Sequence, residues 1–162
     1  MKVREIMTKS PAYCGPDTNL AAAVEILWNK NCGILPIVDS GEKLLGVVTD
    51  RDMCVALGTR NRLPSEITVQ DVTTGKIVSC KADDDLRRAL AAMAEAKVRR
   101  LPVIDTAGKL LGILSMDDVV LRTQTGDVKR DAEVSAEDVV NTLKSVYTPQ
   151  PQRAGQQQIA AA

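Results

Sequence analysis

Histidine and phenylalanine are missing from this 162-residue chain, and Tyr13, Trp28 and Tyr147 are its only aromatic residues. Without an imidazole, the many acid–base and nucleophilic mechanisms built on histidine are excluded. With so few rings, the core has to be filled by Val, Leu, Ile, Ala and Met. The four cysteines, Cys14, Cys32, Cys54 and Cys80, never fall at Cys-x-x-Cys spacing, so no zinc or dithiol motif is expected and each reads as a small apolar side chain. Neither sign of charge is in excess, with 21 basic and 21 acidic residues. No global field therefore draws the chain to nucleic acid or to an anionic membrane. No apolar run approaches the roughly 18 residues of a membrane span. The start, Met1 to Ser10, lacks the apolar stretch of a secretion signal, so a cytoplasmic location is expected. Carboxylates are plentiful, but nothing pairs them with a nucleophile, a metal-ligand set or a Walker-type glycine loop. The expectation is a non-enzyme without a cofactor.

What the chain does contain is a duplication. Val3–Met53 lies over Val69–Val119 at a constant offset of 66 residues without a gap. Leu35-Pro36 returns as Leu101-Pro102, Asp39 as Asp105, Lys43-Leu44-Leu45-Gly46 as Lys109-Leu110-Leu111-Gly112, and Asp52 as Asp118. Each copy reads as the same string of elements. A short helical lead-in (Val3 to Thr8; Val69 to Thr74) precedes a brief extended piece at Ala12 to Cys14 or Ile77 to Cys80. Asp17-Thr18-Asn19 and Asp83-Asp84-Asp85 then offer acceptors and negative charge for a helix start. Leu20, Ala23, Val24 and Leu27, matched by Leu86, Ala89, Leu90 and Met93, fall at helical spacing. Next come an apolar strand holding a proline, a turn at Asp39-Ser40-Gly41 or Asp105-Thr106-Ala107-Gly108, a second strand, and a helix opening at Thr49 or Ser115. The fold class is α+β: two β-α-β-β-α repeats, neither able to cover both faces of its own small sheet, packed sheet to sheet.

The densest local pattern is Gly46-Val47-Val48-Thr49-Asp50-Arg51-Asp52, echoed by Gly112-Ile113-Leu114-Ser115-Met116-Asp117-Asp118. Two readings of its hydroxyl and carboxylate stand side by side. They can form a capping box that merely satisfies orphan backbone donors. Alternatively, the helix start favours a phosphate, Thr49 or Ser115 donates to it, and Asp52 or Asp118 accepts from both hydroxyls of a ribose.

The doubled β-α-β-β-α unit, the Leu-Pro-Ile/Val strand ending in Asp39 or Asp105, and the strand–helix corner together resemble the cystathionine-β-synthase-type (CBS) domain family in its paired form, the Bateman module. The resemblance covers about residues 1 to 123. It implies pseudo-two-fold packing of the repeats and two clefts between them that bind AMP, ADP, ATP, S-adenosylmethionine or related ligands. Carried over by position, one cleft combines Ile113, Ser115, Asp117 and Asp118 with Thr8, Ala12, Cys32 and Gly33. The other combines Val47, Thr49, Arg51 and Asp52 with Val78, Val98, Arg99 and Arg100. The Arg99-Arg100 pair, opposite Gly33-Ile34 in the first copy, implies that the second cleft prefers a multiply charged phosphate; a solvated charged face is the plainer alternative.

The division expected along the chain is repeat one at 1–58, a linker at 59–68, repeat two at 69–123, a linker at 124–134, a C-terminal helix at 135–148 and a disordered tail at 149–162. Ser135 with Asp138 opens that last helix, and Val139, Val140, Leu143, Val146 and Tyr147 give it an apolar stripe. The stripe calls for a surface: its own module, a second copy or another protein. The functional expectation is a regulatory module that senses an adenosine-containing ligand, forms a homodimer and signals in trans to a regulated enzyme or transporter, with no membrane or nucleic-acid partner. A ligand-free interaction or dimerisation module is the alternative. A thiol-based regulator, third, requires Cys14 and Cys80 to be exposed and of low pKa.

Overall fold

The computed structural model describes residues 1–73, 77–123 and 134–149. The linker and tail expected at 124–134 and 149–162 lie outside them, apart from Val134 and Pro149. In chain order the elements are β1 (Thr8–Lys9), α1 (Leu20–Asn29), β2 (Ile34–Val38), β3 (Leu44–Thr49), α2 (Asp50–Thr59), α3 (Val69–Val72), β4 (Cys80–Lys81), α4 (Leu86–Ala96), β5 (Arg100–Ile104), β6 (Leu110–Ser115), α5 (Met116–Arg122) and α6 (Ala136–Tyr147). Single 3₁₀ turns occupy Val3–Glu5 and Pro64–Glu66. Among the described residues no helix is long and apolar enough to cross a membrane.

The helix starts follow the expected chemistry. Asn19 accepts from the Ala22 N–H and Asp85 from the Arg87 N–H, so each main helix begins where an Asx side chain takes over an orphan donor. Both helices end on a left-handed residue, Asn31 (φ 47°) or Lys97 (φ 56°), which turns the chain into the following strand. The strands then pair as antiparallel hairpins, β2 with β3 and β5 with β6. Pro36 is accommodated because the neighbouring extended piece uses only its acceptor: the Cys14 N–H donates to the Pro36 carbonyl, and the Val38 N–H donates to the Cys14 carbonyl.

Two sheets result, one of order β1-β6-β5-β4 and one of β2-β3 bridged to Cys14, and they pack together with α6 as an added C-terminal helix. The lead-in segments cross over. Val3 and Ile6 are buried in the cluster built around Leu86, Met93, Leu101 and Leu114, whereas Ile67 and Val69 are buried with Leu20, Leu35, Val48 and Met53. Matched hydrogen bonds fix this exchange: the Leu86 N–H donates to the Met1 carbonyl as the Leu20 N–H does to that of Ile67. At the hairpin turns the Leu44 N–H donates to the Gly108 carbonyl and the Leu110 N–H to that of Glu42. Each half therefore completes the other's core, which makes the pair one folding unit.

Candidate functional site

Exchange of the lead-in builds the first cleft. β1 adds antiparallel to the edge of β6, with Thr8 opposite Ile113 and Lys9 opposite Gly112. Gly112 is required there, since a Cβ would lie 2.7 Å from the Thr8 carbonyl oxygen and 2.9 Å from the Met7 sulfur. Ser10, at φ 48°, then bends the chain along the corner where β6 runs into α5. The opposite wall is the turn after α1.

The cavity between these walls has a volume of about 380 Å³ and is lined by Thr8, Ala12, Cys32, Gly33, Ile113, Ser115, Asp117 and Asp118. All eight residues assigned to this cleft are thus brought together. Ser10, Pro11, Lys30, Asn31, Ile34 and Arg100 also line it and were not assigned to it from the sequence. Lys30 and Asn31 sit at the end of α1, where only the left-handed turn carries them into the wall. An asparagine after a helical run is the one sequence signal that could have pointed there.

At the corner, the Ser115 N–H and Oγ both donate to Asp118 Oδ2, at 2.8 and 2.7 Å, and the Asp118 N–H donates to Ser115 Oγ at 3.1 Å. The capping box is therefore present, and the hydroxyl's single proton is committed to the carboxylate. In this state Ser115 cannot donate to a phosphate. Thr49 and Asp52 repeat the pattern at 2.9, 2.7 and 3.2 Å. The same box occurs at Thr68/Asp71 and Ser135/Asp138, away from the cleft, so hydroxyl-x-x-Asp alone does not mark a site. What distinguishes Ser115 and Thr49 is the preceding Gly-containing strand.

The set assigned to the second cleft is less gathered. Val47 and Thr49 are half-buried on β3, Arg51 is exposed at the start of α2, and Val78 and Val98 lean on the core of the second half. Residues 74–76, which follow α3, lie outside the described residues. The two arginines part company. The Arg99 guanidinium donates to the Tyr147 hydroxyl of α6 at 3.3 Å and stands 6.0 Å from that ring's centre. Arg100 belongs to the first cleft's wall, 4.0 Å from Asp117 and next to Gly33. The sequence placed Arg100 with the second cleft. β5 begins at Arg100, one residue before the apolar run read from the sequence, and successive side chains there turn to opposite faces, which separates Arg100 from Arg99.

Burial decides the thiol question. Loss of solvent pushes Cys14 up to about 11, only partly offset by a hydrogen bond with Thr18. It pushes Cys80 up to about 12, with the Asp84 charge adding to the rise. Buried thiols held this far from ionisation are inert, so the thiol-regulator reading built on this pair falls. Among the described residues no group of three or more Cys, Asp or Glu could hold a metal ion.

Comparison with known proteins agrees with this architecture. The chain is 35% identical over 127 residues to the uncharacterized protein YlbB of Bacillus subtilis (strain 168), covering 78% of this chain and 84% of that protein. The crystal structure of CBSX2 in complex with AMP superposes with a TM-score of 0.65 at 32% identity, covering 74% of this chain and 93% of that one. The CBS domain pair of protein MJ0100, in complex with 5-methylthioadenosine and S-adenosyl-L-methionine, superposes with a TM-score of 0.66 at 25% identity, covering 75% of this chain and 94% of that one. Some relatives are longer enzymes: the chain is 30% identical to the inosine-5'-monophosphate dehydrogenase of Methanocaldococcus jannaschii over 80% of its own length and 25% of that protein's. The model of the CBS domain matches twice, at residues 3–59 and 69–123, and by that double match the chain belongs to the CBS domain family.

Proposed function

We propose that this chain is a non-catalytic regulatory module that binds an adenosine-containing ligand (AMP, ADP, ATP or S-adenosylmethionine) between its halves. It acts as a cytoplasmic homodimer and transmits occupancy to a partner enzyme or transporter. The observation that carries the reading is the first cleft, whose lining comes from both halves: Thr8, Ala12, Cys32 and Gly33 from the first, Ile113, Ser115, Asp117 and Asp118 from the second. A molecule touching both walls favours one relative disposition of the halves, which is what a sensor requires.

Its chemistry supports a phosphorylated nucleoside. The cavity, at about 380 Å³, falls in the size range of small-ligand pockets. Asp118 Oδ2 is engaged by Ser115, which leaves Oδ1 to accept from a ribose diol. Lys30 and Arg100 supply positive charge for a phosphate, and aliphatic and backbone groups flank a purine. The AMP complex of CBSX2 and the S-adenosyl-L-methionine complex of MJ0100 support the adenosine class. By the same reasoning Thr49 and Asp52 form the corner of a second cleft.

Isothermal calorimetry with AMP, ADP, ATP and S-adenosylmethionine tests the reading. Heat from at least one ligand, lost in Asp118→Ala, is the expected result; silence from all four sinks it. A second reading, a ligand-free interaction or dimerisation module, is favoured by one observation: the hydroxyl and carboxylate of both corners are already engaged with each other in complete capping boxes. Four silent titrations would select it.

A further inference from the structure

The C-terminal helix α6 lies along α4 and α5 and is held by different chemistry along its length. At its start Asp138 pairs with Arg87 at 3.1 Å. Midway, Val139 and Thr142 are buried, and Leu143 packs against the same core. Its end is held by the turn that joins α4 to β5. There Lys97 Nζ donates to the Ser145 and Thr148 carbonyls at 2.9 and 3.0 Å, a cation on the negative end of the helix dipole. Two residues on, Arg99 donates to the Tyr147 hydroxyl. Tyr147 is 62% exposed, so what it adds to docking is this contact more than burial.

The repeat gives Arg99 a second place to act. Its counterpart 66 residues earlier is Gly33, which lines the first cleft. The backbone is set alike at both positions. Each lies two residues after a left-handed one, Asn31 or Lys97. The N–H just before it, of Cys32 or Val98, donates back to the Leu27 or Met93 carbonyl of the main helix. Its own carbonyl accepts from the first N–H of the next helix, Asp50 or Met116. Arg99 therefore stands at the edge of the second cleft as Gly33 stands at the edge of the first, and it brings an exposed guanidinium where the first half has no side chain.

We infer that α6 is a latch on the second cleft: Tyr147 withholds Arg99, and a phosphate bound beside Thr49 and Asp52 draws Arg99 away and loosens the end of α6. The inference rests on the adenosine-ligand reading of that corner and adds its regulation. A phosphate is charged and accepts both arms of a guanidinium, whereas a phenol is neutral and accepts one, so the exchange favours the ligand. One side chain cannot serve both partners at once. Docking of the helix end and phosphate binding thus oppose each other, and by linkage whatever weakens one strengthens the other.

Calorimetry with ATP in an Asp118→Ala background reads the second cleft apart from the first. Tyr147→Ala, at an exposed site, and Lys97→Met, which releases the last carbonyls of α6, should each tighten ATP by about fivefold or more. Adding Arg99→Ala should abolish the gain. The ligand 5-methylthioadenosine carries no phosphate and should bind alike with and without either substitution. In the parent chain, saturating ATP should quicken hydrogen exchange at the amides of residues 144–147 and leave α1 unchanged. Equal ATP affinity with and without Tyr147→Ala overturns the inference, as does an equal gain for 5-methylthioadenosine, which makes the effect one of packing. ATP silent in every Asp118→Ala protein overturns it too. Heat in the parent that is lost with Asp118→Ala then leaves the first-cleft reading standing, whereas a parent silent to every nucleotide removes both.

Discussion

The two halves match down to individual hydrogen bonds, yet their surroundings differ: a helix crosses the second, and among the described residues none crosses the corresponding face of the first. The Asn19 and Asp85 caps, the left-handed Asn31 and Lys97, and the paired bonds between hairpin turns show how far the match extends. Those features are local, set by residue type and spacing. Val24 and Leu90 are equivalent in the repeat and opposite in exposure, because exposure depends on what the rest of the chain lays over them. The clefts diverge for the same reason. Arg99 is drawn to Tyr147 on a helix packed along α4 and α5 of the second half, and Arg100 lines the first cleft.

The sharpest way to test the equivalence of the halves is in their cores. Leu35→Ala and Leu101→Ala each empty a fully buried, repeat-equivalent site and should each cost about 2–5 kcal/mol in urea unfolding. A single cooperative transition should persist in both, since each half completes the other's core. Two separate transitions would break that picture. Next in size is Val139→Asp, which puts a charge into the contact between α6 and the second half. It should cost on the order of 2–3 kcal/mol of docking. Hydrogen exchange should then quicken in α4 and α6 and stay unchanged in α1.

A smaller effect separates the clefts. Asp118→Ala should weaken binding at the first cleft at least tenfold, about 1.4 kcal/mol, whereas Asp52→Ala should leave that cleft's affinity unchanged; equal losses from both in calorimetry would erase the distinction. The smallest effect is on acidification. The Ser135 backbone N–H, the Ser135 hydroxyl and then Arg87 hold Asp138 below its ordinary value. A carboxylate depressed in the folded state stabilises above its unfolded pKa of about 3.9 and loses that contribution as pH falls through the folded value. Docking of α6, followed by hydrogen exchange of its amides, should therefore weaken in that acidic window and stay flat from pH 5 to 7. Arg87→Ala should shift the window upward.

Much of this was legible in the residues. The gapless repeat announced the doubled unit, and helical spacing announced α1, α4 and α6. The Gly-to-Asp corners announced both strand–helix junctions, and Ser135 with Asp138 announced the start of α6. The eight residues assigned to the first cleft came from the resemblance to CBS domains, carried over by position, and not from spacing or periodicity. The exchange of the lead-ins was not legible: Val3 and Val69 occupy equivalent places in strings of similar pattern, so nothing local says which core each enters. Lys30 was passed over because its place depends on the turn at Asn31, and Arg100 parts from Arg99 because adjacent side chains at a strand start turn opposite ways.

By itself the sequence determined the elements, their caps, the duplication and the chemical character of the corner between strand and helix, because those depend on neighbours within a few positions or on the repeat as a whole. Only the tertiary structure decided which half each lead-in completes, which arginine faces which cleft, and which helical face is covered. Those outcomes depend on contacts between segments far apart in the chain, where two equivalent copies compete for the same partner and packing alone breaks the tie.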